Sequence, residues 1–249
     1  MILGAGAAAT VDNSVDLNSI DPRPVLIVTG LVQEARIAAG PGMIVICSSS
    51  DPAQLRALLA TLDPSSFRGV ISFGVAGGLD PSLKSGDVVV ATEVLSGDTR
   101  FLAGLALNEE MIASAALKRR RVVRGGLAGV EQVIAATACK AALHSETGAA
   151  AVDMESHIAA AYASAAGIPF AALRVISDPA SRSLPALAKS AIKPNGDIDL
   201  RKVLRGLVRN PMTLRALVST GIDFNRALRS LRGCRSFLIG GEDLATVDI

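Results

Sequence analysis

The chain has 249 residues and a formal net charge of +2 at pH 7, and 50% of its residues are hydrophobic but only 3% aromatic. This length is enough for one domain with a substantial core, and no apolar run approaches the roughly 20 residues that cross a bilayer. The three cysteines, Cys47, Cys139 and Cys234, lack metal-site spacing. We therefore expect no metal, no disulfide framework and a reducing, cytoplasmic environment.

Short apolar runs alternate with amphipathic stretches from Pro24 onward. The apolar runs predict strands at residues 25–29, 43–47, 70–73, 87–92, 126–130, 149–152 and 170–176. The amphipathic stretches predict helices at residues 51–62, 109–120, 139–145 and 154–166. Strands of continuous apolar residues separated by helices are typical of an α/β fold, here with a mostly parallel or mixed central sheet flanked by helices.

The two ends of the chain differ from this central part. Residues 1–23 mix Gly and Ala with Asp and Asn without periodicity, which predicts a flexible leader before a single domain at 24–249. Within that domain, residues 185–235 have helical periodicity only and predict a helical C-terminal extension.

Glu34 and a glycine-rich segment each follow a predicted strand. Ligands bind at the carboxyl ends of strands in open α/β sheets, so Glu34 is a candidate site residue, although Glu34 and Arg36 also fit a solvated helix face. The segment from Gly74 to Gly78 can present consecutive amides to phosphate or sugar oxygens. A tight structural turn explains this segment equally well.

Two acidic segments follow later strands. Glu155 offers only acceptors, which suits vicinal ribose hydroxyls, and Met154 can lie against a sugar face. Capping of a helix by Asp153 is the alternative. Asp178, if buried, would have a raised pKa and could donate a proton to a leaving group, whereas an Asx turn before a proline is the structural explanation.

The order of these motifs resembles the purine nucleoside phosphorylase and methylthioadenosine nucleosidase superfamily over residues 24–180. The motifs are the GLVQEAR segment that begins at Gly30, the GVAGG segment that begins at Gly74, the VDMES segment that begins at Val152, and Ser177-Asp178. They are most similar to the hopanoid-associated phosphorylase branch, which is thought to remove adenine from adenosylhopane.

The resemblance implies roles for these residues. Asp178 would protonate N7 of the departing purine, and Met154 and Glu155 would bind the ribose. Glu34 corresponds to the carboxylate that activates water in the nucleosidases, and Arg36 is assigned to a phosphate contact. The remaining residues assigned to the substrate site are Gly74, Ala76, Gly77 and Ser177.

Three functions follow from the resemblance. The first is phosphorolysis of adenosylhopane, with orthophosphate as co-substrate and no cofactor. The second is a methylthioadenosine or adenosylhomocysteine nucleosidase that uses water, and the third is a nucleoside-binding module without turnover. The resemblance also implies a homo-oligomer.

The C-terminal part of the chain is basic, with nine basic and two acidic residues between Asp199 and Arg235. Residues 200–208 place apolar side chains on one helical face and basic ones on the other. This stripe fits peripheral contact with a lipid surface, and it also fits a helix packed on the core. Nucleic acid is not an expected partner, because the aromatic side chains that stack bases are nearly missing.

Overall fold

The computed structural model describes residues 21–104, 121–184 and 214–238. Its strands are β1 (Val25–Thr29), β2 (Met43–Cys47), β3 (Gly69–Gly78), β4 (Val88–Ser96), β5 (Thr99–Leu102), β6 (Val122–Gly129), β7 (Ala151–Asp153) and β8 (Phe170–Asp178). Its α-helices are α1 (Val32–Ala38), α2 (Pro52–Ala60), α3 (Thr137–Thr147), α4 (Ser156–Ala166) and α5 (Leu214–Gly233). Single 3-10 turns occur at Pro64–Ser66 and Arg235–Phe237.

The strands form one mixed sheet, in which some of the strands close into a ring and the others extend from it. β1 pairs in parallel with β2 and β3, and β3 pairs in parallel with β8. β8 is antiparallel to β4, which continues through β6 and β7 back to the end of β3. Five strands thus make a closed ring, from which β1 and β2 extend on one side and β5 on the other. The predicted α/β fold with a mixed central sheet is confirmed.

Local signals explain where the helices begin and end. Asp51 caps α2, since its Oδ1 accepts from Ala53 N at 2.9 Å and Gln54 N at 3.2 Å. Gly167 ends α4 with a φ of 65°, a left-handed conformation that costs glycine little. Both features agree with the helices predicted from the sequence.

Helices cover both faces of the sheet. The side chains of α2 and α4 pack in one hydrophobic cluster with the ring strands, and those of α1 and α5 pack in a second cluster on the other face. Ala227, Leu228 and Leu231 of α5 are buried there. The predicted helical C-terminal extension is therefore confirmed for α5, which packs on the sheet.

Several predicted features lie outside the described residues: residues 1–20 of the predicted leader, the helix at 109–120 and the basic stripe at 200–208. Within the described part, the sequence did not predict β5, and it ended β3 five residues too early. No helix in the described ranges is long and apolar enough to span a membrane.

Candidate functional site

A fully buried arginine organises one end of the sheet. Arg174 lies on β8, and its Nε is 2.7 Å from Asp153 Oδ2 at the end of β7. Its Nη2 donates to Ser72 Oγ of β3 at 2.6 Å and lies 3.4 Å from Glu155 Oε2. Arg174 thus joins β3, β7 and β8 and carries positive charge among buried carboxyl groups.

Glu34, in the first turn of α1, lies near this arginine. Its Oε2 accepts from Gly30 N at 2.9 Å and Leu31 N at 2.8 Å, and its Oε1 accepts from Val75 N at 2.8 Å. Gly74 is needed beside it, because a Cβ there would lie 2.5 Å from Arg174 Nη1 and 2.8 Å from Glu34 Oε1. The absence of a side chain at position 74 lets the two charged groups lie against the strand.

Glu155 is held in the same place by the turn that starts α4. Asp153 Oδ1 accepts from Glu155 N at 3.1 Å and Ser156 N at 2.8 Å, which fixes the turn before the helix, whereas the N-cap position itself is occupied by Glu155. The turn directs Glu155 toward Gly30, where an added Cβ would lie 2.5 Å from Glu155 Oε1. Asp153 therefore holds the turn at the start of the helix, although it is not the N-cap residue, and Glu155 takes its place in the charged cluster.

The cluster holds three carboxyl groups against one guanidinium, and all four side chains are buried. Burial raises the pKa of Glu155 to about 8. The charge of Arg174 acts to lower this pKa, and the negative charges of Asp153 and Glu34 act to raise it. Burial also raises the pKa of Glu34, although Arg174 and three backbone N–H groups oppose it. Both carboxyl groups are consequently stronger bases than carboxylates in water.

Asp178 lies at the other end of the site. Its Oδ1 is 2.6 Å from Ser177 Oγ, and its Oδ2 is 2.5 Å from Lys140 Nζ. Burial raises the pKa of the Asp178 carboxyl, while Lys140 and Ser177 act to lower it. A Cβ added at Gly77 would lie 3.4 Å from Asp178 Oδ2.

The glycine-rich part of β3 connects these two ends. Gly74 adjoins Glu34 and Arg174, and Gly77, three residues further along the strand, adjoins Asp178. At about 3.3 Å per residue the two positions are about 10 Å apart, comparable to the length of a purine joined to a ribose. The surface between them is backbone, which can approach a ligand closely.

The structure brings most of the predicted site residues to this strand. Glu34, Gly74 and Glu155 lie at the cluster, Met154 is half-buried between the two acidic residues of its turn, and Ala76 O is 3.1 Å from Ser177 Oγ. Arg36 is different, since its side chain is exposed. Two positions after buried Glu34 on α1, it points about 200° away from the cluster.

Sequence reasoning missed Arg174 and Lys140 as site residues. Arg174 could have been found as the one charge inside the otherwise apolar run 170–176, since a buried charge needs partners. Lys140 gave a weaker signal, because α3 is polar overall and a lysine there suggests a solvated face. The described residues contain no group of His, Cys, Asp and Glu side chains arranged to hold a metal ion.

Residues 8–195, three quarters of the chain, match the family model described as the Phosphorylase superfamily. The chain belongs to the phosphorylase superfamily. This family agrees with the expectation of an enzyme of the nucleoside phosphorylase and nucleosidase type. Comparison with curated proteins found no match.

Solved structures of superfamily enzymes share the fold. The 5′-methylthioadenosine/S-adenosylhomocysteine nucleosidase of Neisseria meningitidis aligns with a TM-score of 0.64 at 18% identity over 87% of this chain and 98% of that one. The corresponding enzyme of Helicobacter pylori gives 0.62 at 19% identity over 87% and 96%. The futalosine hydrolase of H. pylori gives 0.62 at 19% identity over 87% and 95%.

Proposed function

We propose that the protein is a nucleosidase that uses water to release adenine from a 5′-substituted adenosine of the methylthioadenosine or adenosylhomocysteine type. The observation that carries this proposal is the buried cluster around Arg174, which places the carboxyl group of Glu34, a base with a raised pKa, near the predicted position of the sugar. The fold shared with two nucleosidases and a futalosine hydrolase supports it.

Asp178 acts on the base. Burial favours its protonated form, which donates to purine N7 as the bond between C1′ and N9 breaks. The second oxygen accepts from the 6-amino group, so an aspartate suits adenine. The electron pair of the broken bond stays on the base and is neutralised by the proton from Asp178.

The sugar and the water lie at the acidic cluster. Glu155 accepts from the ribose hydroxyls, and its negative charge stabilises the positive charge that develops on the sugar. Glu34 takes a proton from the attacking water while the water oxygen bonds to C1′. The raised pKa of Glu34 makes it a more effective base for this step.

The carboxyl groups of the cluster favour water over orthophosphate. With ribose bound and Glu155 ionised, an anion here would lie next to Glu34 and Glu155. Arg174 pairs through Nε with Asp153 and through Nη2 with Ser72 and Glu155, so Nη1, which has no hydrogen-bond partner among the described residues, is the nitrogen left to meet it. Arg36, the residue assigned to phosphate, is exposed on the far side of α1. Phosphorolysis of adenosylhopane, the first expectation from the sequence, is therefore the competing hypothesis.

The test is base release from methylthioadenosine, adenosylhomocysteine, adenosine, futalosine and adenosylhopane, each with and without orthophosphate, followed by chromatography. Release should not require orthophosphate, and in ¹⁸O-labelled water the label should enter the sugar at C1′. Release that needs orthophosphate and yields a sugar 1-phosphate would overturn the proposal.

Variants identify the residues that act. Asp178→Asn should lower the rate about 10² to 10⁴-fold, because it removes the proton donor. Glu34→Gln should lower the rate by a similar factor. The control is Lys84→Met, which changes an exposed side chain and should leave the rate unchanged. If Glu34→Gln retains full activity, Glu34 is not the base that activates water.

A further inference from the structure

Lys140 is a buried cation that the mechanism above does not use. It lies on α3, its side chain is fully buried, and its Nζ lies 2.5 Å from Asp178 Oδ2. Lysine is almost never buried without a partner, because removing the ammonium from water is costly. Its position next to the proton donor of the proposed reaction requires an explanation.

Among the described residues, the hydrogen bonds of the amine all go to the segment that begins at Asp178. Besides Asp178 Oδ2, Nζ lies 3.1 Å from Pro179 O, 3.1 Å from Arg182 O and 3.4 Å from Asp178 O. An ammonium has three N–H donors, and the three shortest contacts use all of them. No donor is left for a substrate, so Lys140 acts through Asp178.

The other charged groups around Asp178 come from two elements. Asp223 of α5 acts to raise the pKa of Asp178, and Asp223 is ion-paired with Arg182, which follows Asp178 in the chain. Ser177 supplies a neutral hydroxyl at 2.6 Å. In the part of the chain that the structure describes, Lys140 is thus the cation in direct contact with the carboxyl group.

We propose that Lys140 is a positioning residue that fixes the Asp178 carboxyl at the proposed position of the purine and sets the pH range in which Asp178 carries a proton. This inference rests on the proposed function, in which Asp178 must be protonated to act. Activity then falls as the pH rises through the pKa of Asp178. This fall is the alkaline limb of the profile of activity against pH. A neighbouring ammonium moves the alkaline limb to lower pH, because it stabilises the ionised carboxylate.

The experiment compares kcat/KM against pH for release of adenine from methylthioadenosine. In Lys140→Met the alkaline limb should move up by about 1 to 3 pH units, the effect expected of losing an opposite charge in contact. Lys140→Arg, which keeps the charge, should restore the limb toward the wild-type position. Lys84→Met is the surface control, and the acidic limb should stay in place in every variant.

A loss of kcat at all pH values without movement of the alkaline limb would reduce Lys140 to a structural residue and overturn the proposal. Circular dichroism checks the fold, and Lys140→Gln replaces Lys140→Met if the latter does not fold.

Carbon NMR separates failure of this inference from failure of the proposed function. The titration midpoint of the Asp178 carboxyl, assigned by its loss in Asp178→Asn, can be measured without turnover. It should rise in Lys140→Met even if wild-type protein releases no base. An unchanged midpoint would overturn the inference.

Discussion

Gly74→Ala tests the geometry of the charged cluster most directly. The new methyl carbon would lie 2.5 Å from Arg174 Nη1 and 2.8 Å from Glu34 Oε1, closer than real Cβ contacts. Neither neighbour can move freely, since Glu34 accepts three backbone N–H bonds and Arg174 is held by Asp153 and Ser72. Overpacking costs about 1 to 3 kcal/mol, and loss of one hydrogen bond to a charged group costs about 1.5 to 3 kcal/mol.

The expected loss of stability is therefore about 2.5 to 6 kcal/mol, or a Tm lower by roughly 5 to 24 °C for a domain of this size. Displacing Glu34 by 1 Å should also cost about 10²-fold in rate. Gly126→Ala on β6 is the matched control, because the nearest atom to its Cβ would be 3.6 Å away. Guanidinium unfolding and adenine release are measured on both variants. Equal stability and equal activity would refute the geometry described for the cluster.

Three further predictions concern ligand binding, a helix cap and the basic extension. Glu155, with a pKa of about 8, should lose its proton when ribose hydroxyls bind, so affinity should rise with pH up to about 8. Calorimetry with methylthioadenosine, on the inactive variant Asp178→Asn, should give a binding enthalpy that depends on the buffer, because the buffer takes up the released proton. The additional change Glu155→Gln should abolish this dependence. A binding enthalpy that is the same in all buffers would contradict the prediction. Asp51→Ala should cost about 1 kcal/mol, measured by thermal unfolding, since Ala53 and Gln54 lose their acceptor. If the basic stripe contacts lipid, the chain should float with anionic but not neutral liposomes, and neutralising residues 201–215 should abolish flotation.

Much of the site was predictable because strand ends meet. Glu34, Glu155 and Asp178 each follow or end a predicted strand, and the sheet brings Glu34 and Glu155 to one end of the glycine-rich part of β3 and Asp178 to the other. The cap at Asp51 and the stop at Gly167 are local signals, which depend on a few neighbouring residues. The cytoplasmic location, the homo-oligomer and the hopanoid substrate stay predictions.

Other features depend on tertiary structure. The sequence predicts that β3 ends at Phe73, because glycines weaken a strand. In the structure β3 continues to Gly78, because the charged side chains of neighbouring elements fill the space that side chains on the glycines would occupy. β5 is short and mostly exposed, so no apolar run marks it. Lys140 lies on a helix whose polarity suggests solvent, and only packing of α3 on the Asp178 turn shows its burial.

The contacts of Arg174 also bear on how the chain acquires its activity. Arg174 and Ser72 are separated by 102 residues, and Glu34 and Val75 by 41. Loops of this length form late in folding, because closure costs entropy before any contact stabilises it. Nucleoside binding should consequently return in the last refolding phase, together with the full native signal, and no fragment from one half of the chain should bind.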